Sequence, residues 1–142
     1  MDPTKPITFV DLSFTEIAQR LKTIELPEVD GVVGIANGGT VPASLVAYQM
    51  DRPLSMIRLN YRDEHNTPLY DSPQVLEAPS VDEALQRVLL VDDVSVSGKT
   101  LAKAQELLGG RAVATLVITG EADYVVFPEI GDCVNWPWNP NI

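Results

Sequence analysis

Residues 88–100, Val-Leu-Leu-Val-Asp-Asp-Val-Ser-Val-Ser-Gly-Lys-Thr, constrain this chain more than any other stretch: an apolar run ends in two carboxylates and opens through small residues into a helical pattern. Residues 88–91 have no polar break, as in a strand covered on both faces at the centre of a parallel sheet. Asp92 and Asp93 then emerge at its carboxyl end. From Gly98 onward Leu101, Ala104, Leu107 and Leu108 recur at helical spacing. Ser95, Val96, Ser97, Gly98, Lys99 and Thr100 therefore sit where unpaired amides at a helix N-terminus attract an anion. The hydroxyls of Ser95, Ser97 and Thr100 add donors there. Carboxylates repel phosphate, so Asp92 and Asp93 suit sugar hydroxyls or a metal ion beside it. The ligand this pattern implies is a phosphorylated sugar.

Two other readings compete. Gly98-Lys99-Thr100 invites comparison with nucleoside-triphosphate loops, but those need a glycine five residues before the first Gly of the tripeptide, and Asp93 stands there. In the plainer alternative the acids merely end a strand and the serines cap a helix.

Strand and helix signals alternate along the chain. Ser13-Phe14-Thr15-Glu16 has the form of a capping box, and Phe14, Ile17, Ala18, Leu21 and Ile24 follow at helical spacing, predicting a helix to about Thr23. Residues 32–36 read as a strand, 40–50 as the returning helix and 54–60 as a second strand. Residues 61–80 show no periodicity and read as a long loop. A short helical turn over 81–86 precedes the central strand, and a glycine stop at Gly109-Gly110 precedes a strand over 112–118. This order predicts an α/β fold: a mainly parallel central sheet with helices on both faces, and ligands at the carboxyl ends of the strands where strand order reverses. The loop Ala36-Asn37-Gly38-Gly39 closes the first strand, and its glycines permit left-handed backbone and close approach to a ligand.

Composition bounds the function. A chain of 142 residues with 45% hydrophobic residues fits a single domain with a continuous core. A formal charge of −10 argues against a nucleic-acid surface. One cysteine, Cys133, forms neither an internal disulfide nor a cysteine-based metal site, and no apolar run approaches the ~18 residues of a membrane span. The N-terminus lacks the apolar core of a signal peptide, so a cytoplasmic location is expected.

Residues 88–100 resemble the phosphoribosyl pyrophosphate (PRPP) signature of the type I phosphoribosyltransferases, in which four apolar residues precede two acids and a Ser/Thr-rich turn. The resemblance implies that Asp92 and Asp93 contact the ribose hydroxyls and that Ser95 to Thr100 hold the 5′-phosphate. It further implies that Ala36, Asn37, Gly38 and Gly39 form a pyrophosphate loop, that Mg²⁺ is held mainly by the ligand, and that the protein forms a homodimer. Arg62, in the long loop, is the residue best placed to close over pyrophosphate, with Lys99 and Arg58 as further local cations; His65 reads as a surface residue. The C-terminal run around Asn135-Trp136-Pro137-Trp138 resembles the short hood of the family's xanthine-guanine branch, which makes Val134 and Trp136 base-binding candidates. The competing view is that the tryptophans seal the end of the domain.

The chain departs from the family pattern at Asn37, where a basic residue is common, at Val96, where purine members carry a proton-exchanging aspartate, and at Thr119, where they place a lysine. The expected function is transfer of a phosphoribosyl group between PRPP, or a nucleoside 5′-monophosphate, and a nitrogenous base, with a purine favoured. The alternative is a catalytically silent PRPP or nucleotide sensor on the same fold.

Overall fold

The computed structural model describes residues 8–60, 74–75 and 81–139. The elements are β1 (Phe9–Asp11), α1 (Phe14–Leu21), β2 (Gly31–Ala36), α2 (Thr40–Met50), β3 (Leu54–Asn60), β4 (Gln74–Val75), β5 (Val88–Ser95), α3 (Lys99–Leu108), β6 (Ala112–Gly120), β7 (Tyr124–Val125) and β8 (Cys133–Asn135). Six strands form one sheet in the order β4-β3-β2-β5-β6-β7, parallel except for the β3–β4 pair. The chain runs from β2 outward to β3 and then returns to place β5 on the other side of β2, so strand order reverses between β2 and β5.

β2 and the first four residues of β5 lack polar side chains because both their faces are covered. Val32, Leu89, Val91, Leu116 and Ile118 pack with Ile17 and Leu21 of α1 and with Ala43, Val46 and Ala47 of α2. Val33, Ile35, Val88, Leu90 and Val117 pack with Leu101, Ala104 and Leu108 of α3. Successive residues of β2 and β5 thus feed opposite clusters, as the alternation of a strand requires. Helices cover both faces of a mainly parallel sheet, as the alternating pattern predicts.

Local chemistry explains the helix boundaries. At α1 the Ser13 hydroxyl accepts from the Glu16 amide at 3.1 Å, and the Glu16 carboxylate accepts from the Ser13 amide at 3.3 Å. This reciprocal pair satisfies donors that the first turn leaves without partners. The helix ends at Leu21, slightly before Thr23, and Thr23 is held by its own hydroxyl and amide on the Arg20 carbonyl. α2 carries no charged residue from end to end.

Several expectations are corrected. β5 does not stop at Val91 but continues to Ser95, because β6 keeps pairing with it through Ser95↔Gly120. Asp92 and Asp93 therefore lie within the strand, and Ser95 is a buried strand residue, 7% exposed, which leaves residues 96–98 as the turn. Residues 81–86 make a turn on Asp82, whose carboxylate and carbonyl accept from the Ala84 and Leu85 amides, and do not form a helix. Of the span read as a loop, Gln74–Val75 pair antiparallel with β3; Arg62 and His65 lie outside the described residues. A separate two-stranded sheet joins β1 to β8 in parallel, with Phe9 opposite Cys133 and Asp11 opposite Asn135.

Replacing Ser13 by Ala should lower unfolding free energy by about 1 kcal/mol, since the cap is lost while the core stays intact. Chemical denaturation checks this, and an unchanged midpoint would show that the cap contributes nothing to the folded chain.

Candidate functional site

Pairing between β2 and β5 ends at Gly34↔Val91, whereas β5 and β6 stay paired through Ser95↔Gly120. Beyond Val91 the β2 side of β5 is therefore released, and Asp92 and Asp93 are the first residues past that point. The loop after β2 turns into this gap. A Cβ on Gly39 would lie 2.6 Å from the Ile35 carbonyl and 2.7 Å from the Val91 carbonyl, and one on Gly38 would lie 2.5 Å from the Asp93 carboxylate. Neither glycine adopts a positive φ, contrary to the left-handed backbone expected there. Close approach is what requires glycine at these positions. The Ala36–Asn37 peptide is cis, and Asn37 is exposed at the mouth of the loop. Arg58 lies opposite Ala36 in the β2–β3 register, so a cationic residue borders the same loop.

Two helices start at this edge, and neither is capped by a side chain. α2 begins at Gly39 and α3 at Gly98, whose φ of 79° lets the chain turn sharply out of residues 96–98. α1, by contrast, carries its full capping box. Within the turn the Ser97 hydroxyl accepts from the Lys99 amide at 3.3 Å. The start of α3 presents the positive end of the helix dipole, the end that favours an anion. Val96 is 72% exposed in the same turn.

The acidic pair is oriented by its own backbone. Asp92 Oδ1 accepts from the Asp93 amide at 2.8 Å and Asp93 Oδ1 from the Val94 amide at 2.7 Å. Burial holds the Asp92 carboxyl well above the ordinary carboxylate range, and the charge of Asp93 pushes it further; the amide of Asp93 opposes the rise. Burial also raises Asp93, against the lowering effect of its hydrogen bonds. Two neighbouring carboxylates in a desolvated site hold a proton more tightly than either would in water. Sugar hydroxyls or a cation would compensate the charge of buried Asp92 and half-buried Asp93.

Val134 and Trp136 lie in the C-terminal segment, among aromatic residues. Val134 lies in β8, Trp136 stacks on Trp138 with ring centres 5.0 Å apart, and Trp138 tilts against Phe14. Both Val134 and Trp136 pack on the cluster under α1 and α2. Thr119, 3% exposed, is part of β6. Sequence reasoning passed over the turn after β6, where Glu121 donates its amide to the Ser95 carbonyl at 2.9 Å. The available signal was Gly120 closing a long apolar run.

Among the described residues no group of three or more His, Cys, Asp or Glu could hold a metal ion. The Asp92–Asp93 pair suits a Mg²⁺ that takes most of its oxygens from a phosphorylated ligand, the usual way this ion is bound beside one or two carboxylates.

Comparison with known proteins agrees with this geometry. A phosphoribosyl transferase domain model matches residues 16–126. The orotate phosphoribosyltransferase of Sulfurisphaera tokodaii is 32% identical over 121 residues, 83% of this chain and 57% of that protein. The transcriptional regulator GfcR of Methanocella arvoryzae is 35% identical over 98 residues, 63% of this chain and 45% of its own length. The chain thus spans about half the length of the curated relatives it matches. The crystal structure of a purine phosphoribosyltransferase from Pyrococcus horikoshii shares the fold with a TM-score of 0.69 at 24% identity, over 94% of this chain and 95% of that one. No helix among the described residues is long and apolar enough to cross a membrane.

Because Asp92 has a raised carboxyl pKa in the folded state, the folded chain binds more protons than the unfolded one just above the ordinary carboxylate range. Stability is then fully present below that range and falls as pH rises toward the folded value. Asp92→Asn should remove this loss and make the ligand-free protein more stable than the parent at neutral pH, with the gain shrinking as pH falls into the ordinary carboxylate range. Urea unfolding of both proteins across pH 4–8 measures it; a variant destabilised at pH 7 would contradict the raised pKa.

Proposed function

The chain belongs to the phosphoribosyltransferase family, and we propose that it binds PRPP, or the corresponding nucleoside 5′-monophosphate, and transfers the phosphoribosyl group to or from a nitrogenous base. One observation carries this reading: an acidic pair, Asp92 buried and Asp93 half-buried, and a helix start whose N-cap glycine offers no side chain follow one another on β5 and α3, at the point where strand order reverses. The amides of α3 and the Thr100 hydroxyl would hold the 5′-phosphate, and Asp92 and Asp93 would accept from the ribose 2′- and 3′-hydroxyls. The 36–39 loop would receive the pyrophosphate through backbone amides and the neutral side chain of Asn37, bordered by Arg58. Arg62 is assigned to closure over the leaving group. Mg²⁺, when bound, supplies charge neutralisation of the pyrophosphate.

In the forward direction a ring nitrogen of the base bonds to ribose C1 as the bond from C1 to the pyrophosphate oxygen breaks, and pyrophosphate departs with the electron pair. The protein's tasks are to align the two partners and to stabilise the charge that develops on the leaving group. Val96 accepts no proton, so the proton released by the base passes to solvent. A purine is the favoured base, with the Trp136–Trp138 stack as an apolar platform beside Val134.

A second reading is supported by Val96 and by the buried Thr119, neither of which offers acid–base chemistry to a base, and by the 35% identity to a protein named as a transcriptional regulator. In that reading the same pocket senses PRPP or a nucleotide without turnover.

Titration calorimetry with PRPP and Mg²⁺ tests the sugar-phosphate assignment. Asp93→Asn should weaken binding by ~1–3 kcal/mol through loss of a charged acceptor. Pyrophosphate release across guanine, hypoxanthine, xanthine, adenine and orotate then separates transferase from sensor. Absence of binding by PRPP and by every nucleotide tried would sink both readings.

A homodimer is assigned to the outer side of α2. Two copies that each carry a charge of −10 repel one another over most of their surface, and α2 has no charge and presents Tyr48 89% exposed. Sedimentation equilibrium should give twice the chain mass and Tyr48→Glu half of that; a monomeric parent protein would remove the assignment.

A further inference from the structure

We infer that Glu121 reads the base, and that it selects a 2-amino-6-oxopurine such as guanine over bases that are anionic or lack the 2-amino group. This rests on the proposed sugar-phosphate site. Displacement at C1 is in line, so the entering base and the leaving pyrophosphate occupy opposite faces of the ribose. The pyrophosphate loop belongs to β2, the ribose sits over β5, and β6 flanks β5 on the side away from β2. The base must therefore lie over the carboxyl end of β6.

The turn that follows β6 offers few groups to meet it. Thr119 is buried. Gly120 presses so closely on the strand that a Cβ would lie 2.1 Å from the Ser95 carbonyl. Ala122 has no polar atom beyond its backbone. Asp123 is committed, accepting at 3.0 Å from the Thr115 amide and at 3.2 Å from the Thr115 hydroxyl. Glu121 remains: its amide is anchored on the Ser95 carbonyl at 2.9 Å, its side chain is exposed, and its carboxylate has no hydrogen-bond or ion-pair partner among the described residues. Ser95 directly precedes the proposed phosphate turn, so this anchor fixes Glu121 relative to the sugar-phosphate.

A carboxylate is an acceptor only. Its complement is a pair of adjacent N–H donors, which guanine presents as its ring N1–H and its 2-amino group. Hypoxanthine presents only the first. Orotate carries a carboxylate of its own, and xanthine readily loses a ring proton, so each would bring negative charge beside Glu121 as well as the Asp92–Asp93 pair. A site built around such an acceptor rejects a ligand that leaves the acceptor unpaired more strongly than it rewards added apolar contact.

The test uses binding, so it does not require turnover. Guanosine, inosine, xanthosine and orotidine 5′-monophosphates and ribose 5-phosphate are titrated with Mg²⁺ into the wild-type chain and into Glu121→Gln. In the wild type, guanosine monophosphate should bind roughly tenfold or more tightly than the other nucleotides. Glu121→Gln should lose that preference while binding ribose 5-phosphate as the wild type does, which also reports an intact fold. Equal wild-type affinities for guanosine and xanthosine monophosphates, or a guanine preference that survives in Glu121→Gln, would overturn the role of Glu121 and leave the sugar-phosphate site standing. Failure of the wild type to bind ribose 5-phosphate or any nucleotide would overturn both.

Discussion

The arrangement at the carboxyl edge depends on where two parallel strands stop pairing. β2 and β5 run together through the core and separate after Gly34 and Val91, while β5 continues against β6. This unequal pairing leaves the end of β5 bonded on one side only. Into the released side comes the 36–39 loop, held against the Ile35 and Val91 carbonyls so tightly that only glycine fits at position 39. That divergence sets where the acidic pair lies relative to the 36–39 loop.

Placing Asp92 and Asp93 there has an energetic sign. Among the described residues neither carboxylate has a cationic partner to offset its desolvation, and the fold holds the pair by two local amide bonds. The unbound protein is thus less stable than its core would allow. Functional sites commonly carry such an internal cost, and here a ligand bearing vicinal hydroxyls or a chelated cation would remove it.

The sequence reading succeeded where local signals agree. The bounds of α2 and β3 are those expected from the sequence, because Pro53, the Gly38-Gly39 pair and continuous apolar runs mark their ends. The core of the site was equally legible, since the acids, the turn and the following helix are contiguous. The true end of β5 was not: polar Asp92 and Asp93 look like a strand terminus, and only pairing with β6, a non-local fact, keeps them extended. The β1–β8 pair escaped for a related reason, being short strands far apart in the chain with no periodicity to reveal them. Glu121 is likewise brought to Ser95 by strand register alone. The resemblance marked Thr119 as the position to watch, whereas Thr119 is buried within β6 and Glu121 is exposed in the turn that follows the strand.

The joining of β1 to β8 bears on how the molecule is made. The carboxyl edge of the sheet draws its residues from β2 through β6, a stretch that can pair without either end of the chain. The aromatic end cannot, because Asn135 must reach back to bond Asp11 at 2.8 Å and to accept from the Leu12 amide at 3.4 Å. The tryptophan end is thus tied by a bond between residues 124 positions apart in the sequence, and closing so long a loop costs more chain entropy than forming the pairings between β2, β3, β5 and β6.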